Sequence, residues 1–302
     1  MIEFSPQDFK DFDKFKDYAK FGQLKRLGIF DSGIGGLSLL KYLRAQSLDD
    51  KQNNRNKKEI IYLADSGRFP YGMKSPKEIF TYTQQIIHWL EQKNVDLIVF
   101  GCNTANAIAG DELNQITQLP ILDLIDPVAK YVSTLGLNIG VLATQATVNS
   151  HAFSKAIRAY APKLSITEIA ATQLVNIVER GDITSKETQD LLADYANQFV
   201  SQGAELIILG CTHFSFLKDY LLPLIDKRIQ ILDPAELVVQ LLTKFSQHDD
   251  QLTDNLSCTN FTSEPTFFVT GDKEAFASSA SRCLGYPLKN VNQLAIAHLE
   301  CL

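Results

Sequence analysis

The chain reads as an α/β protein of two pseudo-symmetric α/β domains, with mainly parallel sheets and the functional site in the cleft between them. Three observations predict this. Short apolar runs alternate with segments of helical periodicity along most of the 302 residues. Each apolar run ends in a turn or a polar signal. One phrase also occurs twice. "VDLIVFGCNTA" (95–105) and "AELIILGCTHF" (204–214) each carry an acid, an apolar strand, then Gly-Cys and small polar residues.

The elements follow in order. Residues 1–26 predict a helical extension, with Ser5 as N-cap, Pro6 at the first helical position and Asp8 near the positive helix end. Phe4 and Phe9 suit a hydrophobic staple, and Phe9, Phe12, Phe15, Tyr18 and Phe21 form an aromatic stripe. A first series of strands is expected at "RLGIF", "EIIYLA", "DLIVF" and "ILDLID", each leading into a loop or helix. A second series is expected at "NIGVLA", "LSITEIAA", "ELIIL" and "IQILD", with "NIGVLA" leading into a helical run over 144–160. The two keep one order: Gly28 matches Gly140, Cys102 matches Cys211, and Asp126-Pro127 matches Asp233-Pro234. That is the mark of an internal duplication. A polar loop follows, and "TFFVTGD" with a short helix from Lys273 closes the chain.

Composition narrows the function. A formal net charge of −6 and no long basic run argue against a nucleic-acid groove. The most basic stretch, 51–59, adjoins Asp49 and Asp50 and reads as a solvated loop. No apolar run reaches the roughly 20 residues of a membrane span, and the N-terminus is too charged for a signal peptide. Five cysteines without tight spacing suggest free thiols in a reducing cytosol, so a cytoplasmic location is expected.

In parallel α/β sheets, ligands sit beyond the carboxyl ends of the strands. This gathers Asp31-Ser32, Tyr71-Gly72, Cys102-Asn103-Thr104, Thr144 with Thr147, and Cys211-Thr212-His213. A single buried cysteine is most often a small hydrophobe. Two at matched strand ends, each after a glycine, point to opposed acid and base groups. Such a pair removes a proton from one face of a carbon and returns it on the other, which is racemisation or epimerisation. A thiol titrates near ~8.5, so local tuning can hold one thiol and one thiolate. His213 and Asp31 suit helper roles, one beside each thiol, and Asp31 also suits a substrate ammonium. Ser32, Asn103, Thr104 and Thr212 suit a carboxylate, although each alone is also a plausible helix cap.

Rival readings are weaker. "DSGIGG" lacks the third glycine of a dinucleotide loop, since Ser38 stands there, and lacks the P-loop lysine. Cys102, Cys211 and His213 lack zinc-ligand spacing. A thiol hydrolase leaves the second cysteine unexplained.

The motifs "GIFDSGIGGLSLL" (28–40), "YLADSGRFPYG" (62–72), "GCNTANA" (101–107), "GVLATQATVNSHAF" (140–153), "LVNIVERG" (174–181), "GCTHF" (210–214) and "TGDKEAF" (270–276) closely resemble glutamate racemases. These are cofactor-independent enzymes that make D-glutamate for bacterial peptidoglycan. The resemblance implies catalytic roles for Cys102 and Cys211, with assistance from Asp31, His213 and Glu179. It implies substrate contacts at Asp31, Ser32, Pro70, Tyr71, Gly72, Asn103, Thr104, Thr144, Thr147, Thr212 and His213. It implies one domain from 27–126 with 234–302 and another from 127–233. No pyridoxal phosphate or metal is expected. Glutamate is the expected substrate, and a cell-wall precursor is a candidate activator; the N-terminal extension reads first as packing onto the body of the protein, with regulation as the alternative. The oligomeric state stays open, a homodimer included. Aspartate racemase is the nearest alternative; a non-catalytic amino-acid-binding protein that kept the cleft is the reading from another class. Departures from the family pattern are Phe214-Ser215, Asn176, Ala171-Thr172 and Asp126.

Overall fold

A computed structural model describes residues 24–47, 58–248 and 264–301. The expected N-terminal helix, most of the 51–59 loop and Cys258 lie outside the described residues. The first unit runs β1 (Arg26–Asp31), α1 (Leu37–Ser47), β2 (Glu59–Ala64), α2 (Pro76–Gln92), β3 (Leu97–Phe100), α3 (Asn103–Ala109), α4 (Leu113–Ile116) and β4 (Ile121–Leu122). Then come α5 (Asp126–Ser133), β5 (Ile139–Ala143), α6 (Gln145–Ser150), α7 (Ala152–Tyr160), β6 (Ile166–Ala170), α8 (Gln173–Arg180) and α9 (Lys186–Ser201). β7 (Leu206–Gly210), α10 (Lys218–Leu221), β8 (Gln230–Leu232) and α11 (Pro234–His248) complete the second series. The chain ends with β9 (Thr266–Val269), α12 (Lys273–Leu284), β10 (Val291–Gln293) and α13 (Ile296–Glu300).

Two sheets result, in the orders β10-β9-β2-β1-β3-β4 and β6-β5-β7-β8. All their pairings among the described residues are parallel. β3, β5 and β7 are buried along their whole length, as strands covered by helices on both faces must be. The order β2-β1-β3-β4 is repeated as β6-β5-β7-β8. The repeat extends to register: Gly28 lies opposite Ile98, and Gly140 opposite the matching Ile207. Behind Gly28 pack Leu90 and Val95; behind Gly140 pack Phe199 and Ala204, their counterparts. A glycine in each strand lets the helix that leads into the neighbouring strand, α2 or α9, settle close to the sheet.

The acid that opens each copy of the repeated phrase has the same task in both. The Asp96 carboxylate accepts the N–H groups of Lys25 and Arg26, both at 2.8 Å. The Glu205 carboxylate accepts the N–H of Asn138 at 2.9 Å. Each thus ties the start of its own strand to the start of the neighbouring one.

Four expectations are corrected. Arg26 already belongs to β1, not to the extension. The strand expected over "ILDLID" is extended only at Ile121–Leu122. Asp123 Oδ1 accepts the N–H groups of Ile125 and Asp126 at 2.9 and 2.7 Å, which turns the chain into α5. The helical run 144–160 is broken at His151, whose φ is 56°. Finally, "TFFV" is not the last strand: β10 pairs beside it in parallel, and α13 follows. Val291–Gln293 has too few residues to show a strand period. No helix of the described residues is long and apolar enough to cross a membrane.

Candidate active site

Five strand ends and one helix build the site. β1 delivers Asp31 and a glycine-rich turn. β3 delivers Cys102, the N-cap of α3, and β7 delivers Cys211, which starts the 3-10 helix Thr212–Leu217. β5 delivers Thr144, β2 leads into 65–72, and α8 carries Glu179. Neither cysteine side chain caps its helix, so both sulfurs are left for other work. Both cysteines are only 5% exposed.

The glycine run "DSGIGG" serves packing between the two units. A methyl group added at Gly33 would fall on the Glu179 carboxylate, and one at Gly35 on the His213 imidazole and the Thr212 hydroxyl. Only bare backbone lets the β1 turn of one unit nest into "GCTH" of the other. Asp31 crosses the same boundary. Its Oδ1 accepts Gly33 N–H at 2.6 Å, and its Oδ2 accepts the Thr212 hydroxyl at 3.4 Å.

Around the sulfurs the surroundings differ. Cys102 Sγ lies 3.9 Å from Ser32 Oγ as donor to it. Cys211 Sγ lies 3.8 Å from His213 Nδ1, and His213 Nε2 lies 2.8 Å from Glu179 Oε1. The same carboxylate oxygen accepts Ile34 N–H at 3.1 Å. Burial, then the Asp31 charge, pushes the Cys102 thiol up to about 12, so it is protonated at neutral pH. Burial also raises Asp31 to about 6, opposed by the nearby His213 and by the Gly33 N–H. Burial acts downward on His213, yet its bonds to Cys211 and Glu179 outweigh it and hold the ring well above its ordinary value. An imidazolium therefore faces Cys211 while a neutral serine faces Cys102.

The predicted polar residues converge. Thr104 and Thr144 hydroxyls lie 3.0 Å apart, Thr144 and Thr147 another 3.0 Å, and Thr147 donates to Thr104 at 3.4 Å. Thr144 is also the N-cap of α6, accepting Thr147 N–H at 3.3 Å. Both polar atoms of the Asn103 side chain are buried without a partner. Buried amides normally find partners, so this one is poised for a polar ligand.

The 70–72 segment departs from expectation in detail. The Tyr71 hydroxyl is spent on the Asp65 carboxylate, which also accepts Arg68 Nε and the Thr270 hydroxyl, each at 2.7 Å. Tyr71 therefore has backbone, not its hydroxyl, to offer a ligand. Gly72 abuts Thr144 and Thr172 of the other unit. The Phe69 ring, just before Pro70, lies 6.3 Å from that of His213. Sequence reasoning missed Asp65 and Arg68; the signal was an acid–base pair three residues apart, immediately before Phe-Pro-Tyr-Gly. Of the departing positions, Asn176 is exposed on α8 and Phe214 and Ser215 are buried.

Residues 46–242 match the model of the Asp/Glu/hydantoin racemase family. A glutamate racemase of Gloeobacter violaceus is 34% identical over 260 residues, covering 86% of this chain and 92% of that protein. The chain belongs to the Asp/Glu/hydantoin racemase family. Solved structures agree with this racemase membership. A glutamate racemase of Bacillus anthracis superposes with a TM-score of 0.78 at 26% identity, covering 90% of this chain and 98% of that one. A glutamate racemase of Francisella tularensis, solved with D-glutamate, also gives 0.78 at 26% identity, covering 92% and 99%. Two buried sulfurs thus stand at matched strand ends in a chain of this family.

Proposed function

We propose that the protein interconverts L- and D-glutamate without a cofactor, by proton transfer between two thiols. The observation that supports this most is the pair of buried cysteines at duplicated strand ends, in unequal electrostatic surroundings. In the resting form Cys102 holds its proton. Cys211, facing the His213 imidazolium, is the sulfur placed to carry negative charge. Cys211 thiolate takes the α-proton from one enantiomer; the electron pair stays on the α-carbon; the Cys102 thiol then protonates that carbon from the opposite face. The reverse reaction exchanges the roles. Asn103, Ser32 and the Thr104–Thr144–Thr147 hydroxyls supply donors for the carboxylates, and Asp31 orders the turn between them. Thr212, Pro70, Tyr71 and Gly72 complete the lining.

In this reading residues 27–126 with 234–302 form one domain and 127–233 the other, with the substrate between them. The product is D-glutamate for cell-wall synthesis. In deuterium oxide, each enantiomer should gain deuterium at the α-carbon as the opposite enantiomer appears. Racemisation with full retention of the α-proton, or full activity of either single Cys→Ser variant, overturns the two-thiol mechanism. Turnover of L-aspartate in preference to L-glutamate overturns the substrate.

A further inference from the structure

Glu179 is gripped at both of its ends by the other unit. Its carboxylate takes Ile34 N–H from the β1 turn, beside its bond to His213. Its main-chain carbonyl is held by α12: the Ser279 hydroxyl donates to it at 3.1 Å and Arg282 Nη2 at 3.4 Å. Arg282 Nη2 also donates to Ser279 Oγ at 2.9 Å, so the two side chains brace each other. The carbonyl lies in the last turn of α8, where a cation offsets the negative helix end. Gly181 follows at φ 77°, and any side chain there would meet the Arg282 guanidinium. α8 thus ends in a shape that admits Arg282.

Nothing in the proton-transfer scheme uses Ser279 or Arg282. We propose that they are positioning residues for proton transfer at Cys211, fixing Glu179 so that its carboxylate orients and charges His213. The role rests on the two-thiol reading given above. Glu179 sits on α8 of the second series, whereas its three grips come from the β1 turn and α12. A shift of either element relative to α8 therefore moves the carboxylate against the imidazole. Other groups also bear on His213. Cys211 and Glu179 raise its affinity for a proton, Asp31 attracts its charge from β1, and Cys283 on α12 lies within reach of it. Lys41 and Arg282 act on Cys283 in turn, and Tyr62 lies near Glu179.

The test uses the full chain carrying Ser279→Ala, Arg282→Met, Arg282→Lys and, as a surface control, Arg228→Met. One neutral hydrogen bond supports about a threefold loss of kcat in Ser279→Ala, and loss of the charged Arg282 grip together with its brace on Ser279 about tenfold in Arg282→Met. KM for glutamate should stay within about twofold, since no substrate contact is touched. The basic limb of the pH–rate profile should move to lower pH in both. The His213 ring pKa, read by NMR with His213→Asn as the assignment control, should fall in the same order. Arg282→Lys should recover most of the loss, and Arg228→Met should match the parent. An unchanged ring pKa and pH profile in both variants overturns the role. So does a kcat loss that merely follows a fall in Tm. If the parent chain fails to racemise glutamate, the functional reading falls, and the ring pKa still decides the positioning role.

Discussion

At the end of β3, Cys102 lies against Ser32 and near the Asp31 carboxylate; at the end of β7, Cys211 lies against His213, itself bonded to Glu179. The strand scaffold that presents the two sulfurs is repeated: the same strand order, the matching glycine register, and an acid at the same place tying strand starts together. The polar neighbours are not the same, and they set the resting charge. Cys102 is held as a thiol beside an acid, and Cys211 meets a cation. In the two-thiol reading proposed above, duplication supplies the two carriers, and divergence of the next two residues, Asn103-Thr104 against Thr212-His213, gives them unlike neighbours. A symmetric pair would resist having one carrier loaded and the other empty, which is what a single proton transfer across a carbon requires.

Six substitutions, in four tests, break or sharpen this comparison. Cys102→Ser and Cys211→Ser should each cut racemisation by about 10³-fold or more, because a serine hydroxyl is a far weaker acid and its alkoxide is inaccessible at neutral pH. Steady-state circular dichroism on each enantiomer reads this, and loss in only one variant would break the two-carrier scheme.

Asp31→Asn tests the acid on the Cys102 side through stability. Burial makes Asp31 bind its proton more tightly folded than unfolded, so it lowers stability as pH rises from about 4 through about 6. The variant should lose that fall and gain about 1–3 kcal/mol at neutral pH. Denaturant melts at pH 4 and pH 7 check it; a parent more stable at pH 7 than the variant argues against the sign.

The strand glycines separate the two arms by packing alone. A methyl at Gly28 would approach Leu90 Cδ2 at 3.1 Å, a flexible side chain, but at Gly140 it would approach Phe199 Cδ1 at 2.6 Å, a fully buried ring. Gly140→Ala should cost about 2–3 kcal/mol and Gly28→Ala about 1, by urea denaturation. Equal costs would mean the second arm can yield as readily as the first.

Glu179→Gln leaves the sulfurs in place and removes the charge behind His213. Activity should fall about tenfold and the basic limb of the pH profile should move to lower pH, since the ring loses the partner that helps keep it protonated. An unmoved limb would place control of the ring with Cys211 alone.

Much of this was legible in the residues. Apolar runs of strand length separated by helical periods dictate parallel sheets, and a phrase repeated with its acid, its glycine and its cysteine dictates a repeated unit. The acid's task was not legible, because it depends on which strand start lies beside it in the sheet. The glycine turn after Asp31 was open to a wrong reading as a phosphate loop. Sequence spacing shows that glycines are present, and only the neighbouring unit shows what they make room for.

The sequence by itself thus determined the fold class, the twofold plan and the two thiols, because periodicity and composition are local and survive without coordinates. Tertiary structure decided that Cys102 is buried beside an acid that raises its thiol, why Gly33 and Gly35 have no side chains, and that Tyr71 spends its hydroxyl on Asp65. It also placed Ser279 and Arg282, far along the chain, behind Glu179. The physical reason is common to all four. Charge, close approach and hydrogen-bond partnership are properties of pairs of groups, and several of the pairs here, Gly33 with Glu179, Gly35 with His213 and Glu179 with Arg282, are formed across two units whose contact no single stretch of chain encodes.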